Sequence, residues 1–176
     1  MTGGRLPFDR APTPVCAAID AARETELRAA VVAEARKWEG ARYIQQAGVR
    51  YEAVDCAMLL VRCWVDAGIF QPFDPRPYEP NWHLNKGAEE RYLGWIESLA
   101  VEVDTPRPGD IVLWRFGHCY SHGGIIMNAR LHVMHALAGH GRCSVTDLDE
   151  AFLRWNGAKQ RARKFFDPFA PLRVAA

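Results

Sequence analysis

Apolar residues recur through the first part of the chain at the period of a helix. Leu27, Val31, Ala35 and Trp38 are spaced four, four and three apart, which predicts an amphipathic helix over about Asp20 to Trp38, stopped by Gly40. Asp55, a good N-cap residue, precedes a second stripe of Leu60, Val61, Trp64 and Val65 that ends at Gly68. A second, well-buried helix is predicted there. Four prolines between Gln71 and Asn85 forbid regular structure, whereas Tyr92, Leu93 and Ile96 space a short helix within 87–100. Residues 71–100 therefore read as a surface insert, with Trp82 and His83 read as anchoring it on the core in preference to binding glycan or peptide or docking a partner.

The texture changes at Pro106. The turn Pro108-Gly109-Asp110 opens three β-like runs, Ile111 to Trp114, Gly123 to Met127 and Leu131 to Leu137, with Cys143 to Val145 as a candidate fourth. A last amphipathic segment covers about Leu148 to Trp155. The basic stretch after it, with Lys159, Arg161, Arg163 and Lys164 beside Phe165, reads as a solvated strand edge without assigned function. At the other end, 1–19 reads as an arm: Met1 to Pro14 carries Gly3, Gly4 and three prolines. Helices first and antiparallel strands afterwards imply one α+β domain over 1–176, its N-terminal helices packed on one face of a central antiparallel β-sheet. Chemistry is expected where the two meet.

Composition narrows the function. A chain of 176 residues, 49% hydrophobic, can bury a core unaided. Lys plus Arg number 22 against 21 Asp plus Glu, so no strong field draws the chain to nucleic acid or an anionic membrane. The N-terminal arm lacks an apolar run, so neither a signal peptide nor membrane insertion is expected. Five cysteines, Cys16, Cys56, Cys63, Cys119 and Cys143, form an odd set without a CxxC pair, which points to free thiols.

One of these thiols stands apart. Cys56 follows the proposed cap Asp55, which places its sulfur in the first turn of a buried helix, where unpaired N–H groups and the helix dipole favour thiolate. The same N–H groups can hold a developing oxyanion. Taken alone, Cys56 would be read as a small buried hydrophobe, which is the reading Cys63 keeps. A thiolate nucleophile needs a base, and the base an orienting partner. If Gly123 to Met127 and Leu131 to Leu137 form a hairpin turning at Asn128-Ala129, His122 faces His135, with Cβ atoms roughly 5 Å apart. That spacing suits a base and its orienter, with His132 and His140 as alternatives to His135. His118, Cys119 and His122 also cluster as candidate zinc ligands, but without compact ligand pairs; thiol chemistry needs no metal and no other cofactor.

The string Val54-Asp55-Cys56-Ala57-Met58-Leu59-Leu60-Val61 resembles the nucleophile motif of the NlpC family, in which Asp-Cys opens a helix of a papain-like core. Val32 to Arg36 with Gly40 to Tyr43 is similar to the family's first helix and active-site tyrosine. Arg107-Pro108-Gly109-Asp110-Ile111-Val112 resembles its turn into the central sheet. Ser121-His122-Gly123-Gly124-Ile125-Ile126 looks like its base strand, and Val133-Met134-His135-Ala136 the strand of its third polar residue. Ala57 and Met58 depart from the usual Ser-Gly, and Arg42 from a frequent proline. The resemblance implies a papain-like NlpC fold and a cysteine endopeptidase that cleaves amide bonds of peptidoglycan stem peptides. Its triad would be Cys56, His122 and His135, with Tyr43 and Asp55 lining the oxyanion and substrate side. Pro77 to Leu84, with Glu89 to Leu93, resembles the bacteriophage tail branch of the family, which implies tail-tip proteins as partners. It also implies a virion tail as the location, or the bacterial cytoplasm before assembly. Two other functions remain open from the residues: a structural tail component, and a thiol hydrolase of lipids or amidated small molecules.

Overall fold

The computed structural model describes residues 12–79, 81–150, 153–155 and 159–174. Helix α1 (Ala21–Arg36) starts where Asp20 accepts the Arg23 amide at 2.8 Å, and it buries Leu27, Val31 and Ala35. Helix α2 (Cys56–Asp66) is buried on nearly every side, which is why its sequence is apolar almost throughout. Before α1, the described part of the arm is pinned to the start of the insert, with the Val15 amide on Ile69 and the Gln71 amide on Thr13, both at 2.8 Å.

Between the helices run three two-residue strands, β1 (Arg42–Tyr43), β2 (Gly48–Val49) and β3 (Ala53–Val54). The expected short helix is α3 (Arg91–Glu97), followed by β4 (Val101–Val103). The β region holds β5 (Ile111–Phe116), β6 (Cys119–Ile126), β7 (His132–Leu137) and β8 (Arg142–Asp147). After them come the hairpin of β9 (Arg154–Trp155) and β10 (Lys159–Gln160), then β11 (Arg163–Asp167). Among the described residues nine strands form one sheet in the order β2-β3-β1-β8-β7-β6-β5-β11-β4. Every adjacent pair is antiparallel except β1 with β3. The fold is thus α+β, with α2 lying across β6 and β7 on one face, as expected.

Both faces of the sheet are covered. Ile111, Leu113, Ile125 and Met134 join the main core under the helices, while Val112, Trp114, Ile126 and Val133 pack with Leu148 and Leu153 on the reverse. That explains strands with continuous apolar runs rather than alternation. It also corrects the basic stretch: β11 is no free edge, because Phe165–Asp167 pair with β4 on one side and Phe165 and Phe166 with β5 on the other.

A buried ion network ties α1 to the sheet. The Arg28 guanidinium lies 2.8 Å from Glu24, 2.7 Å from Asp110 and 2.8 Å from Asp167, and stacks 4.4 Å from the Phe169 ring centroid. Gly109 turns beside it at φ +89°, and a Cβ there would sit 3.3 Å from the Arg28 Cα. The Pro108-Gly109-Asp110 turn is therefore both a chain reversal and a seat for α1.

Candidate active site

Helix α2 delivers the thiol. Asp55, in extended backbone, accepts the Met58 amide at 2.9 Å, so Cys56 is the first helical residue, as the sequence implied. The carboxylate has further partners: the Gln46 amide at 2.7 Å and the Tyr78 hydroxyl. It is an anchor at the cavity wall, where burial raises its pKa and the bonds from Met58, Tyr78 and Gln46 work against that rise.

Strand β6 meets Cys56 with its backbone. The β6–β7 ladder begins at Gly124 and His135, so Gly123 has a ladder partner only on the β5 side, and Ser121, skipped where the β5–β6 register shifts, has none. The Cys56 thiol donates weakly to the Ser121 carbonyl over 3.9 Å. Gly123 is needed here, because a Cβ would fall 2.5 Å from the Tyr92 hydroxyl, which itself donates to the Cys56 carbonyl at 3.3 Å.

The thiol's charge state differs from the expectation. Burial, with the neighbouring Asp55 charge, pushes Cys56 up to about 12, and the amides of Gly123, Cys56 and Ala57 only partly offset this. The helix dipole is present but does not win, because desolvation around the half-buried Cys56 outweighs it. The resting Cys56 side chain is a thiol.

The two histidines meet, by a route other than the expected register. The hairpin turns through four residues, Asn128 to Leu131, with Leu131 at φ +60° and the Asn128 side chain accepting the Arg130 amide at 3.0 Å. Pairing shifts by two, so His135 lies opposite Gly124 and not His122. A shift of two preserves the face. The rings therefore still touch diagonally, with His122 Nε2 2.9 Å from His135 Nδ1. His122 also stacks on Trp114, centroids 5.4 Å apart.

Burial, with His135, His140 and Arg161 nearby, holds His122 well below its usual value. Burial, with His140, lowers His135 to about 4. Both rings are neutral at pH 7. The alternatives lie outside this contact. His132 pairs with Asp147 at 3.1 Å, and His140 stands behind His135, centroids 5.8 Å apart. Among the described residues no three His, Cys, Asp or Glu side chains converge as a metal site would require.

A cavity of about 370 Å³ joins these groups; Cys56, His122 and Tyr43 line it, with Tyr78, Trp82 and Arg161 in its walls. Tyr43 donates to Gln45 Oε1 at 2.8 Å, and burial, with the nearby Cys56 and Asp55 charges, raises its pKa so that it stays a donor. Trp82 both anchors the insert and lines the cavity. Sequence reasoning missed Tyr78, Tyr92 and Arg161. No spacing rule links them to Cys56, and Arg161 lay inside a run dismissed as solvated. Its guanidinium stacks 3.9 Å above the Phe116 ring, at the cavity.

No family model matches the sequence, and no curated protein matches it either. Solved structures do. NlpC1 from Trichomonas vaginalis superposes with a TM-score of 0.52 at 14% identity, over 78% of this chain and 42% of that one. The chain thus spans less than half of NlpC1. The NlpC/p60 domain of the peptidoglycan hydrolase SagA superposes with a TM-score of 0.48 at 17% identity, over 78% of this chain and 96% of that domain. The chain has the papain-like α+β fold of NlpC-type proteins.

Proposed function

We propose that the chain is an NlpC-type cysteine peptidase hydrolysing amide bonds in peptidoglycan stem peptides, with Cys56 as nucleophile, His122 as base and His135 as its orienter. The observation that carries this reading is the opening of Cys56 and His122 onto one cavity, with the second nitrogen of His122 held by His135 at 2.9 Å. The NlpC-type fold and the motif resemblance support the substrate class.

In the proposed reaction His122 Nδ1 takes the thiol proton as Cys56 Sγ bonds to the amide carbonyl carbon. The Cys56 amide at the α2 terminus and the Tyr43 hydroxyl stabilise the oxyanion. The C–N bond then breaks, and His122 returns the proton to the leaving amine. Water, deprotonated by His122, hydrolyses the thioester and restores the thiol.

The insert's resemblance to the phage tail branch supports a virion-tail setting with tail-tip partners. A second reading, a tail-assembly protein active only once assembled, is favoured by the neutral resting thiol. Release of new amino termini from purified peptidoglycan tests both. Cleavage by the wild type that is lost in Cys56→Ala and His122→Ala supports the peptidase, whereas no cleavage by folded wild type supports the assembly role.

A further inference from the structure

His135 uses both ring nitrogens. Nδ1 lies 2.9 Å from His122 Nε2, and Nε2 lies 2.9 Å from Thr146 Oγ1. A neutral imidazole has one N–H and one lone pair, so the row Thr146–His135–His122 can be protonated in only two directions.

If Thr146 donated to His135 Nε2, then His135 would carry its hydrogen on Nδ1 and donate to His122 Nε2. His122 would then be protonated on Nδ1, the nitrogen left for the thiol, and could accept nothing there. If Thr146 accepts, every bond reverses. His135 carries Nε2–H, His122 carries Nε2–H, and His122 Nδ1 keeps its lone pair.

The threonine hydroxyl has another acceptor available. Thr146 Oγ1 donates to the Asp147 carbonyl at 3.3 Å, which leaves its lone pairs for the His135 N–H. Thr146 sits on β8 diagonally from His135, whose direct neighbour there is Ser144, so the contact follows from the sheet register.

We propose that Thr146 is a positioning residue that sets the tautomers of both histidines, accepting from His135 Nε2–H and thereby holding His122 in the Nε2–H form with Nδ1 free. Its catalytic consequence rests on the thiol-peptidase reading, but the tautomers do not. When the Cys56 S–H bond breaks, the proton moves to His122 Nδ1, and the resulting imidazolium donates from Nε2 to the neutral His135 Nδ1. No other group need move.

The test is nitrogen-15 NMR of the histidine rings in the whole chain at pH 7, for wild type, Thr146→Val and Thr146→Ser. The inference expects His122 as Nε2–H in wild type and Thr146→Ser, and mixed or reversed tautomers in Thr146→Val. Wild-type His122 protonated on Nδ1, or a Thr146→Val spectrum unchanged from wild type, overturns it. If Thr146→Val does not fold, the wild-type and Thr146→Ser spectra still decide. Kinetics on peptidoglycan add a second readout: kcat of Thr146→Val falls roughly tenfold or more with KM unchanged, and Thr146→Ser restores it. A chain without peptidase activity would sink the functional reading while leaving the tautomer result to stand or fall alone.

Discussion

The hydroxyl of Tyr78 lies 2.6 Å from Oδ2 and 2.8 Å from Oδ1 of Asp55, which joins the irregular insert to the cap of the helix that carries Cys56. Gln46 reinforces the joint, its amide on Asp55 at 2.7 Å and its side chain on the Tyr78 carbonyl at 2.9 Å. The insert is thus fastened to the N-cap of the helix that opens with Cys56.

Removing that hydroxyl has a defined cost. Tyr78→Phe leaves a buried carboxylate short of one charge-assisted donor and is expected to destabilise the protein by about 1–3 kcal/mol. Denaturant unfolding gives the magnitude, and hydrogen exchange localises it: amides around Gln46 and Tyr78 should exchange faster, while those of β5 and β6 stay protected.

Thiol titration separates two charge states of the candidate site. With Cys56 pushed up to about 12, its alkylation rate should keep rising with pH from 7 to beyond 9, without levelling. Mass-spectrometric rates of iodoacetamide labelling follow this. A plateau near neutrality would mean that the dipole and His122 do prevail and the resting state is an ion pair.

Acid should destabilise the chain in two stages. The folded-state values of His122 and His135 are depressed, so the unfolded chain binds more protons than the native one below its histidine value of 6.5. Stability is therefore full above that pH and falls as pH drops towards 4, and His135 alone contributes up to about 3 kcal/mol of the loss. Glu24 is held near 2, first by its bond to Arg173, so its contribution is present above pH 4.5 and lost below. Melting temperatures of His135→Asn across pH 3 to 8 should shrink the first stage to the part His122 contributes and leave the second.

The Arg28 network should be far less tolerant than surface pairs. Arg28→Ala leaves buried Asp110 without a charged partner and Asp167 with only Arg107 and Arg173, and is expected to cost about 3–5 kcal/mol, while Arg23→Ala, which breaks the exposed bond to Glu26, should cost about 1 or less. Equal losses in calorimetry would mean that the network contributes no more than its surface counterpart.

Local signals were enough for the elements and for the placing of Cys56 at the start of its helix. The period of Leu27, Val31 and Ala35, the cap at Asp55 and the turn at Pro108-Gly109-Asp110 each depend on neighbours within a few residues, and the structure places each as expected. The histidine pair was legible for a subtler reason. A hairpin slip of two residues keeps side-chain parity, so His122 and His135 share a face whether the turn has two residues or four.

What the chain order could not reveal is what distant segments do to one another. Strand β11 enters the sheet between β4 and β5 because partners more than 45 residues away bury Phe166 from both sides. The insert reaches Asp55 and the Cys56 carbonyl through Tyr78 and Tyr92, and desolvation with the Asp55 charge turns a dipole-favoured thiolate into a thiol. Helix starts and strand faces are fixed by short-range hydrogen bonding and side-chain period, which a sequence carries in its spacing. Burial, and with it every charge state and hydrogen-bond direction in the site, is a property of the packed whole, which only the tertiary structure decides.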